Sequence, residues 1–189
     1  SCSIITNITV IGIGIAMALT PLVGIEYVNH NHNENSKLFQ NSILLNLLVA
    51  LFSVGLLLII NPLLKYMGQP QEVLNILDGY YYWTTMSLFP YLLFLGFKQF
   101  MEGVGNTLIS MLITIGCNVL NIFLNFGFIF GYMGFPQLGA EGAGVATFIS
   151  RLLMPIAFFI IIITNKKYSF YIKSFGISKT SFAKQWQIF

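Results

Sequence analysis

Six polar side chains share one face of an otherwise apolar stretch in the second half of the chain. At about 100° per residue they fall within roughly an 80° arc of a helix, and they are Thr107, Ser110, Thr114, Asn118, Asn121 and Asn125. In apolar surroundings such groups need hydrogen-bond partners or a wet cavity. The face therefore predicts either hydrogen bonds that hold neighbouring helices together or the wall of a hydrated pathway, with the deeper asparagines as its functional part.

A second polar face precedes this one. Its members lie within about 60° of one another on a helical wheel, and they are Tyr80, Thr84, Ser87 and Tyr91. Aromatic rings beside hydroxyl groups can hold flat, amphipathic organic molecules. The alternative for this segment is a belt of aromatic side chains at a membrane interface, which is the interpretation we prefer for residues 81–83.

Arg151 is a charged residue deep inside an apolar stretch. It lies twelve residues after Gly139 and fifteen before Lys166, which is roughly 18 Å and about 22 Å along a helix. A charge at that depth in a membrane costs ~3 kcal/mol even on permissive scales, so the side chain should face a bundle interior or a cavity. Thr147 lies one turn earlier on the same face. A functional role and a structural pairing are both open for Arg151.

The sequence offers no arrangement typical of an enzyme. No nucleophile lies next to a base, no two carboxylates share an apolar stretch, and no His or Cys cluster has metal-ligand spacing. His30 and His32 could bind a metal, but their polar run favours a solvated loop over residues 26–37. Cys2 and Cys117 favour buried, inert thiols. We therefore expect a protein that is not an enzyme and needs no cofactor.

Membrane-spanning helices must position these residues. The chain has 9 Lys and Arg and 6 Asp and Glu among 189 residues, is 56% hydrophobic and has a mean hydropathy of +0.79. Its charge-free stretches fit helices of roughly 20 apolar residues. They predict an all-α, polytopic transmembrane helix bundle with spans over residues 3–25, 40–64, 80–97, 108–132 and 139–164. The net charge of +3 does not indicate nucleic-acid binding, because the lysines flank apolar runs.

Basic residues predict the orientation of these spans. Seven lysines fall on one side and Lys65 alone on the other, so the lysine-rich side is expected to be cytoplasmic. Residues 166–189 would form a cytoplasmic linker with an amphipathic segment. Prolines at positions 21, 90 and 155 lie within spans and predict kinks. We expect the chain to be an internal piece of a longer protein.

Several motifs between Phe89 and Arg151 resemble the multidrug and toxic compound extrusion (MATE) family. The matching stretches are Phe89-Pro90-Tyr91 and residues 100–107, 118–125 and 131–147. The most specific part runs from Pro136 to Thr147 in the pattern Pro-x-Leu-Gly-Ala-x-Gly-Ala-Gly-x-Ala-Thr. In length and spacing the chain resembles the second to sixth helices of the family.

This resemblance implies an antiporter of twelve helices in two six-helix halves, with a central cavity that exchanges organic cations against Na⁺ or H⁺ by rocking. In some members a cation or proton site uses an Asp on the first helix, an Asn and an Asp four residues apart on the fifth, and a Thr on the sixth. The matching positions are Asn121, Asn125 and Thr147. Asn125 stands where the Asp would be, as in NorM-like relatives, in which the other half carries more of the coupling.

The expectation is that residues 1–165 form most of the N-terminal half of a Na⁺- or H⁺-coupled antiporter. It would export organic, cationic drugs across the bacterial inner membrane by alternating access. Its partners would be membrane lipid, a small organic drug and the second transmembrane half. Expected substrate contacts are Thr114, Asn118, Arg151, Tyr80, Thr84, Ser87 and Tyr91. The alternative is a flippase for lipid-linked oligosaccharide or a similar lipid phosphate, which would line its cavity with several basic residues.

Overall fold

The computed structural model describes residues 2–30, 32–64, 71–131 and 134–165, and within these ranges it contains helices and no strand. The helices are α1 (Cys2–Met17), α2 (Leu19–Val28), α3 (His32–Leu64), α4 (Gln71–Met86), α5 (Leu88–Gly103), α6 (Thr107–Phe130) and α7 (Ala140–Thr164). The predicted amphipathic linker, residues 166–189, lies outside the described residues.

Two of the predicted spans are divided by a break three residues before a proline. α1 and α2 meet at Ala18, ahead of Pro21, and α4 and α5 meet at Ser87, ahead of Pro90. Proline lacks the N–H of a helical hydrogen bond, and its ring clashes with the carbonyl four residues earlier, so a helix bends just before it. The helices are interrupted ahead of these two prolines, as expected where a proline removes a hydrogen bond, whereas Pro155 lies inside α7 without a break in helical structure.

The helices extend beyond some of the predicted bounds. α3 begins at residue 32 rather than 40, and α4 and α5 together cover residues 71–103 rather than 80–97. α6 and α7 agree with the predicted spans to within two residues at each end. The apolar stretch alone marks where a span can lie in lipid, and polar helical turns on either side of it carry no apolar signal.

The solvated loop predicted over residues 26–37 is wrong in most of its length. α2 ends at Val28, and His30, with a φ of 55°, lies in the short connection before α3. Asn35 and Ser36 are helical and fully buried. Their polarity resembles that of a loop in the sequence, but buried polar side chains are accommodated in a bundle through hydrogen bonds.

α5 lies at the centre of the bundle, where it packs against α2, α3 and α7. Phe100 of α5 lies 4.2 Å from Phe39 of α3, measured between ring centroids. Phe94 of α5 lies 5.6 Å from Phe158 of α7. Aromatic pairs at such distances contribute roughly 0.5–1.5 kcal/mol beyond the burial of their area. These rings therefore fix α5 between α3 and α7.

Apolar side chains cover much of the outside of the bundle. Among the described residues, four stretches are long and apolar enough to cross a membrane, and they are Ile5–Val28, His32–Ile60, Thr107–Phe130 and Ala140–Thr164. On α6, the faces beside the polar one expose Leu112, Ile115, Ile122 and Phe126. Exposed apolar surface of this extent fits contact with lipid.

A tight connection joins α6 to α7. Gly131 ends α6 with a φ of 73°, in the left-handed region, and its N–H bonds to the carbonyl of Gly127 at 2.8 Å. Glycine is the usual residue in this position because it has no β-carbon. Gly142 lies so close to α6 that a β-carbon there would be 2.5 Å from the carbonyl oxygen of Phe128. The start of α7 therefore requires a glycine where it contacts the end of α6.

Replacing Gly142 with Ala should lower the free energy of unfolding by about 1–3 kcal/mol, because the added carbon overpacks a contact with backbone that cannot yield easily. Gly116→Ala on α6 is the matched control, since a β-carbon there meets nothing within 4 Å. It should be neutral or slightly stabilising, because alanine favours helix over glycine. Thermal unfolding in detergent measures both, and equal melting temperatures for Gly142→Ala and the unsubstituted protein would contradict the close contact.

Candidate functional site

α5, α6 and α7 surround a cavity of about 930 Å³, a volume that includes the space at its open side. Its polar lining consists of Tyr91, Lys98, Thr114, Asn118, Asn121, Thr147, Ser150 and Arg151. Its apolar lining consists of Phe94, Leu95 and Met154. A concave site with apolar walls and a small number of polar groups is typical of sites for small organic molecules.

Arg151 is held in this cavity by two contacts near the break between α4 and α5. Its Nη1 donates a hydrogen bond to Oγ of Ser87 at 2.8 Å. Its guanidinium carbon lies 4.7 Å from the centre of the Tyr91 ring, a distance at which cations and aromatic rings attract. The side chain thus faces the interior, as its depth in the sequence predicts. Within the described ranges no carboxylate forms an ion pair with it.

Ser87 connects Arg151 to the backbone of α4. Its hydroxyl accepts the hydrogen bond from Arg151 and donates one to the carbonyl oxygen of Thr84 at 2.6 Å. A serine that bonds back to its own helix is compatible with a bend, and Pro90 supplies the cause of that bend. The charge on α7 is therefore bonded to the residue at which the α4–α5 segment is interrupted.

Asn121 and Thr147 face the cavity from α6 and α7, and Asn125 joins them through a hydrogen bond. Nδ2 of Asn125 donates to Oδ1 of Asn121 at 3.0 Å. Oδ1 of Asn125 is buried and has no hydrogen-bond partner among the described residues. The Thr147 hydroxyl donates to the carbonyl of Ala143 at 2.8 Å, which leaves its oxygen able to accept. The three side chains therefore offer neutral oxygen atoms with spare lone pairs.

A second groove continues the cavity along α6. The two share Lys98 and Thr114. The groove is also lined by Glu102, Thr107, Leu108, Ser110, Met111 and Ile115. Nζ of Lys98 lies 3.8 Å from Oε1 of Glu102, one turn away on α5. The predicted polar face of α6 therefore lines one continuous surface from Thr107 to Asn121.

Tyr80, Thr84 and Ser87 do not line the described cavity, although they share a predicted face with Tyr91, which does. The backbone of Tyr80 lies against Gly144 of α7. The carbonyl of Thr84 accepts the hydrogen bond of the Ser87 hydroxyl, and that hydroxyl in turn accepts from Arg151. Of the face predicted over residues 80–91, Tyr91 therefore lines the cavity directly and Ser87 contributes through Arg151.

Lys98 and Ser150 line the cavity and were missed as site residues. In the sequence Lys98 counts only as one of the orienting lysines. A signal for it exists, since Tyr91, Phe94 and Lys98 follow the i, i+3, i+7 spacing of one helical face. Ser150 is buried and donates to the carbonyl of Ala146 at 2.8 Å, and the sequence carries no comparable signal for it.

Comparison with known proteins identifies the family. The family model MatE matches residues 1–127. The chain belongs to the MATE family. A probable multidrug resistance protein NorM from Photorhabdus laumondii is 28% identical to this MATE chain over 172 residues, which are 91% of this chain and 38% of that protein. The multidrug resistance protein NorM of Vibrio cholerae is 30% identical over 157 residues, which are 82% of this chain and 34% of that protein.

The same comparison extends to a solved structure. The crystal structure of the eukaryotic MATE transporter AtDTX14 matches with a TM-score of 0.78 and 20% identity over 98% of this chain and 40% of that one. The predicted all-α membrane fold and the resemblance to NorM-like MATE proteins are confirmed. MATE proteins are membrane transporters rather than enzymes, as the sequence predicts. The chain spans just over a third of the length of these relatives.

Ser87→Ala should lower the free energy of unfolding by about 1–2 kcal/mol, because Arg151 loses the hydrogen-bond acceptor that the Ser87 hydroxyl provides. In a background that already carries Arg151→Met, the same change should have a much smaller effect. A double-mutant cycle on thermal or denaturant unfolding isolates the coupling between the two side chains. If the losses of unfolding free energy from the two single substitutions simply add in the double variant, the contact contributes nothing to stability.

Proposed function

We propose that this chain forms most of one six-helix half of a cation-coupled antiporter, which exports organic drugs from the cell by alternating access. The observation that carries the proposal is the cavity, in which the polar face of α6 meets Thr147 and Arg151 of α7. The names of the NorM relatives, multidrug resistance proteins, support drug export as the activity. Residues 1–165 would then belong to the N-terminal half.

Coupling to a cation would use the neutral oxygens on the α6–α7 side of the cavity. Hard cations such as Na⁺ bind oxygen ligands, and Asn121, Asn125 and Thr147 supply three. The buried Oδ1 of Asn125, which has no partner among the described residues, is the strongest candidate ligand. None of the side chains that line the cavity is a carboxylate, so further ligands would come from elsewhere in the longer protein.

Drug binding would use the α5 side of the same cavity together with Asn118 of α6. Tyr91 and Phe94 lie 6.0 Å apart between ring centroids and both line it. Their rings can stack against a flat apolar group, while the amide of Asn118 can bond to a polar one. Cation binding would shift the balance between two conformations of different drug affinity.

A flippase for a lipid phosphate is the alternative, and it would line its cavity with several basic residues. The described cavity lining contains two, Lys98 and Arg151, and Lys98 already lies 3.8 Å from Glu102. Drug export is preferred because the relatives are named for multidrug resistance.

Export should depend on an ion gradient. In a strain without other drug pumps, the full-length transporter should reduce accumulation of a fluorescent drug, and removal of Na⁺ or addition of a protonophore should abolish this effect. An antiporter has no other source of energy, so at least one of the two treatments must act. Export that persists under both treatments would contradict cation coupling.

Asn121→Leu should raise the concentration of the coupling ion needed for half-maximal export by about tenfold, since removing one oxygen ligand is worth on the order of 1.4 kcal/mol. Ile122→Leu is the matched control, because Ile122 is a neighbouring, 57% exposed side chain of α6 that does not line the cavity. Ion titrations of drug efflux from vesicles measure both. An unchanged titration for Asn121→Leu would remove this residue from the coupling site.

A further inference from the structure

The cavity is lined by positive charge, whereas an organic cation would need negative charge to balance its own. The charged side chains that line it, Lys98 and Arg151, are both positive. Glu102 lies 3.8 Å from Lys98 and partly offsets that charge, and it lines the neighbouring groove rather than the cavity. The charge of Arg151 is offset by no carboxylate among the described residues. In a place of low dielectric constant, an unbalanced cation attracts anions strongly.

The two contacts of Arg151 hold it in place and leave most of its donors unused. A guanidinium group has five N–H donors in a planar fork. The hydrogen bond to Ser87 uses one donor of Nη1, and the Tyr91 contact at 4.7 Å uses the charge without consuming an N–H. A guanidinium fixed in this way matches the two oxygens of a carboxylate with little loss of side-chain entropy.

Neighbouring side chains complete a site for an aromatic acid. Tyr91 and Phe94 of α5 provide aromatic rings beside Arg151, whose guanidinium carbon lies 4.7 Å from the centre of the Tyr91 ring. Ser150 precedes Arg151 and also lines the cavity. An apolar ring and a negatively charged group on one ligand would therefore meet complementary groups at the same time.

We propose that Arg151 is the specificity-determining residue of the drug site and binds a carboxylate of an amphipathic aromatic acid or zwitterion. The inference rests on the proposed function and deepens it, because it names a substrate class with a negative group. A drug whose only charge is positive would meet repulsion from Arg151 in this half. The positive charge of such a drug would have to be balanced by groups outside the described cavity lining.

Three probes of one aromatic scaffold test the inference: a fluorescent aromatic carboxylic acid, its primary amide and an ammonium analogue. The amide keeps the shape and polarity of the acid and removes the charge. Binding to the purified full-length transporter is measured by fluorescence anisotropy, and export by the drug-accumulation assay. The transporter should bind the acid more tightly than the amide, and Arg151→Gln should weaken binding of the acid by roughly tenfold or more while changing the amide less than about twofold.

Two further variants separate a specific site from general effects. Arg151→Lys keeps the charge and loses the fork, so its loss of acid binding should lie between those of the unsubstituted protein and Arg151→Gln. Lys37→Gln is the control for a lysine outside the cavity, where Nζ lies 2.8 Å from Oε1 of Glu34. It should leave the binding of all three probes unchanged.

One measurement uses the unsubstituted protein, so it tests the inference even if Arg151→Gln does not fold. Lowering the pH through the acid's own pKa should weaken binding of the acid to the unsubstituted protein, because the neutral acid offers no carboxylate. Binding of the amide should change little over the same range. Equal pH dependence of the two probes would contradict the inference.

The outcomes also separate this inference from the proposed function. If the transporter exports the ammonium analogue but binds acid and amide equally, drug export stands and the role of Arg151 is overturned. Equal losses of acid and amide in Arg151→Gln would likewise show a purely structural residue. Failure to export any of the three probes would overturn the proposed function instead. Arg151-dependent binding of a prenyl phosphate, with no preference for the acid over the amide, would overturn the inference in favour of a flippase.

Discussion

Lipid supplies no hydrogen bonds, and this one fact governs how the polar atoms of the chain are arranged. A charge or hydroxyl inside a bilayer must find a partner in the protein or line water. Arg151 meets that requirement through Ser87 and Tyr91, and Ser87 meets it in turn through Thr84. The contacts join α7 to the break between α4 and α5.

Helical periodicity was enough to predict the polar wall of the cavity. The period of 3.6 residues is a property of the backbone, so it places Thr114, Asn118 and Asn121 on one side of α6 without any knowledge of the neighbours. The same local argument places Thr147 and Arg151 on one side of α7. Which helices face each other does not follow from it, and the Arg151–Ser87 bond joins residues 64 positions apart.

Prediction was wrong where polarity was taken as a sign of water. Asn35 lies in the first half of α3 and is fully buried, yet the amide-rich run that contains it resembles a loop. Its side-chain amide donates to the carbonyl of Val23 at 3.1 Å and accepts from the N–H of Tyr27 at 3.0 Å, both on α2. Composition cannot distinguish a solvated amide from one that is satisfied inside a bundle.

In the antiport that we propose, the charge of the cavity limits how the drug and the coupling ion can weaken each other's binding. A cation among the oxygens of Asn121 and Asn125 and a carboxylate on Arg151 would attract rather than repel, because the charges are opposite. Exchange nevertheless requires that binding of the drug weakens binding of the coupling ion. By thermodynamic linkage, the ion must then weaken binding of the drug by the same factor. For an acidic drug, direct repulsion therefore cannot supply the opposition. In the proposed antiport it would come from two conformations of the cavity wall, and the bond from Arg151 to Ser87 joins that wall to the break between α4 and α5.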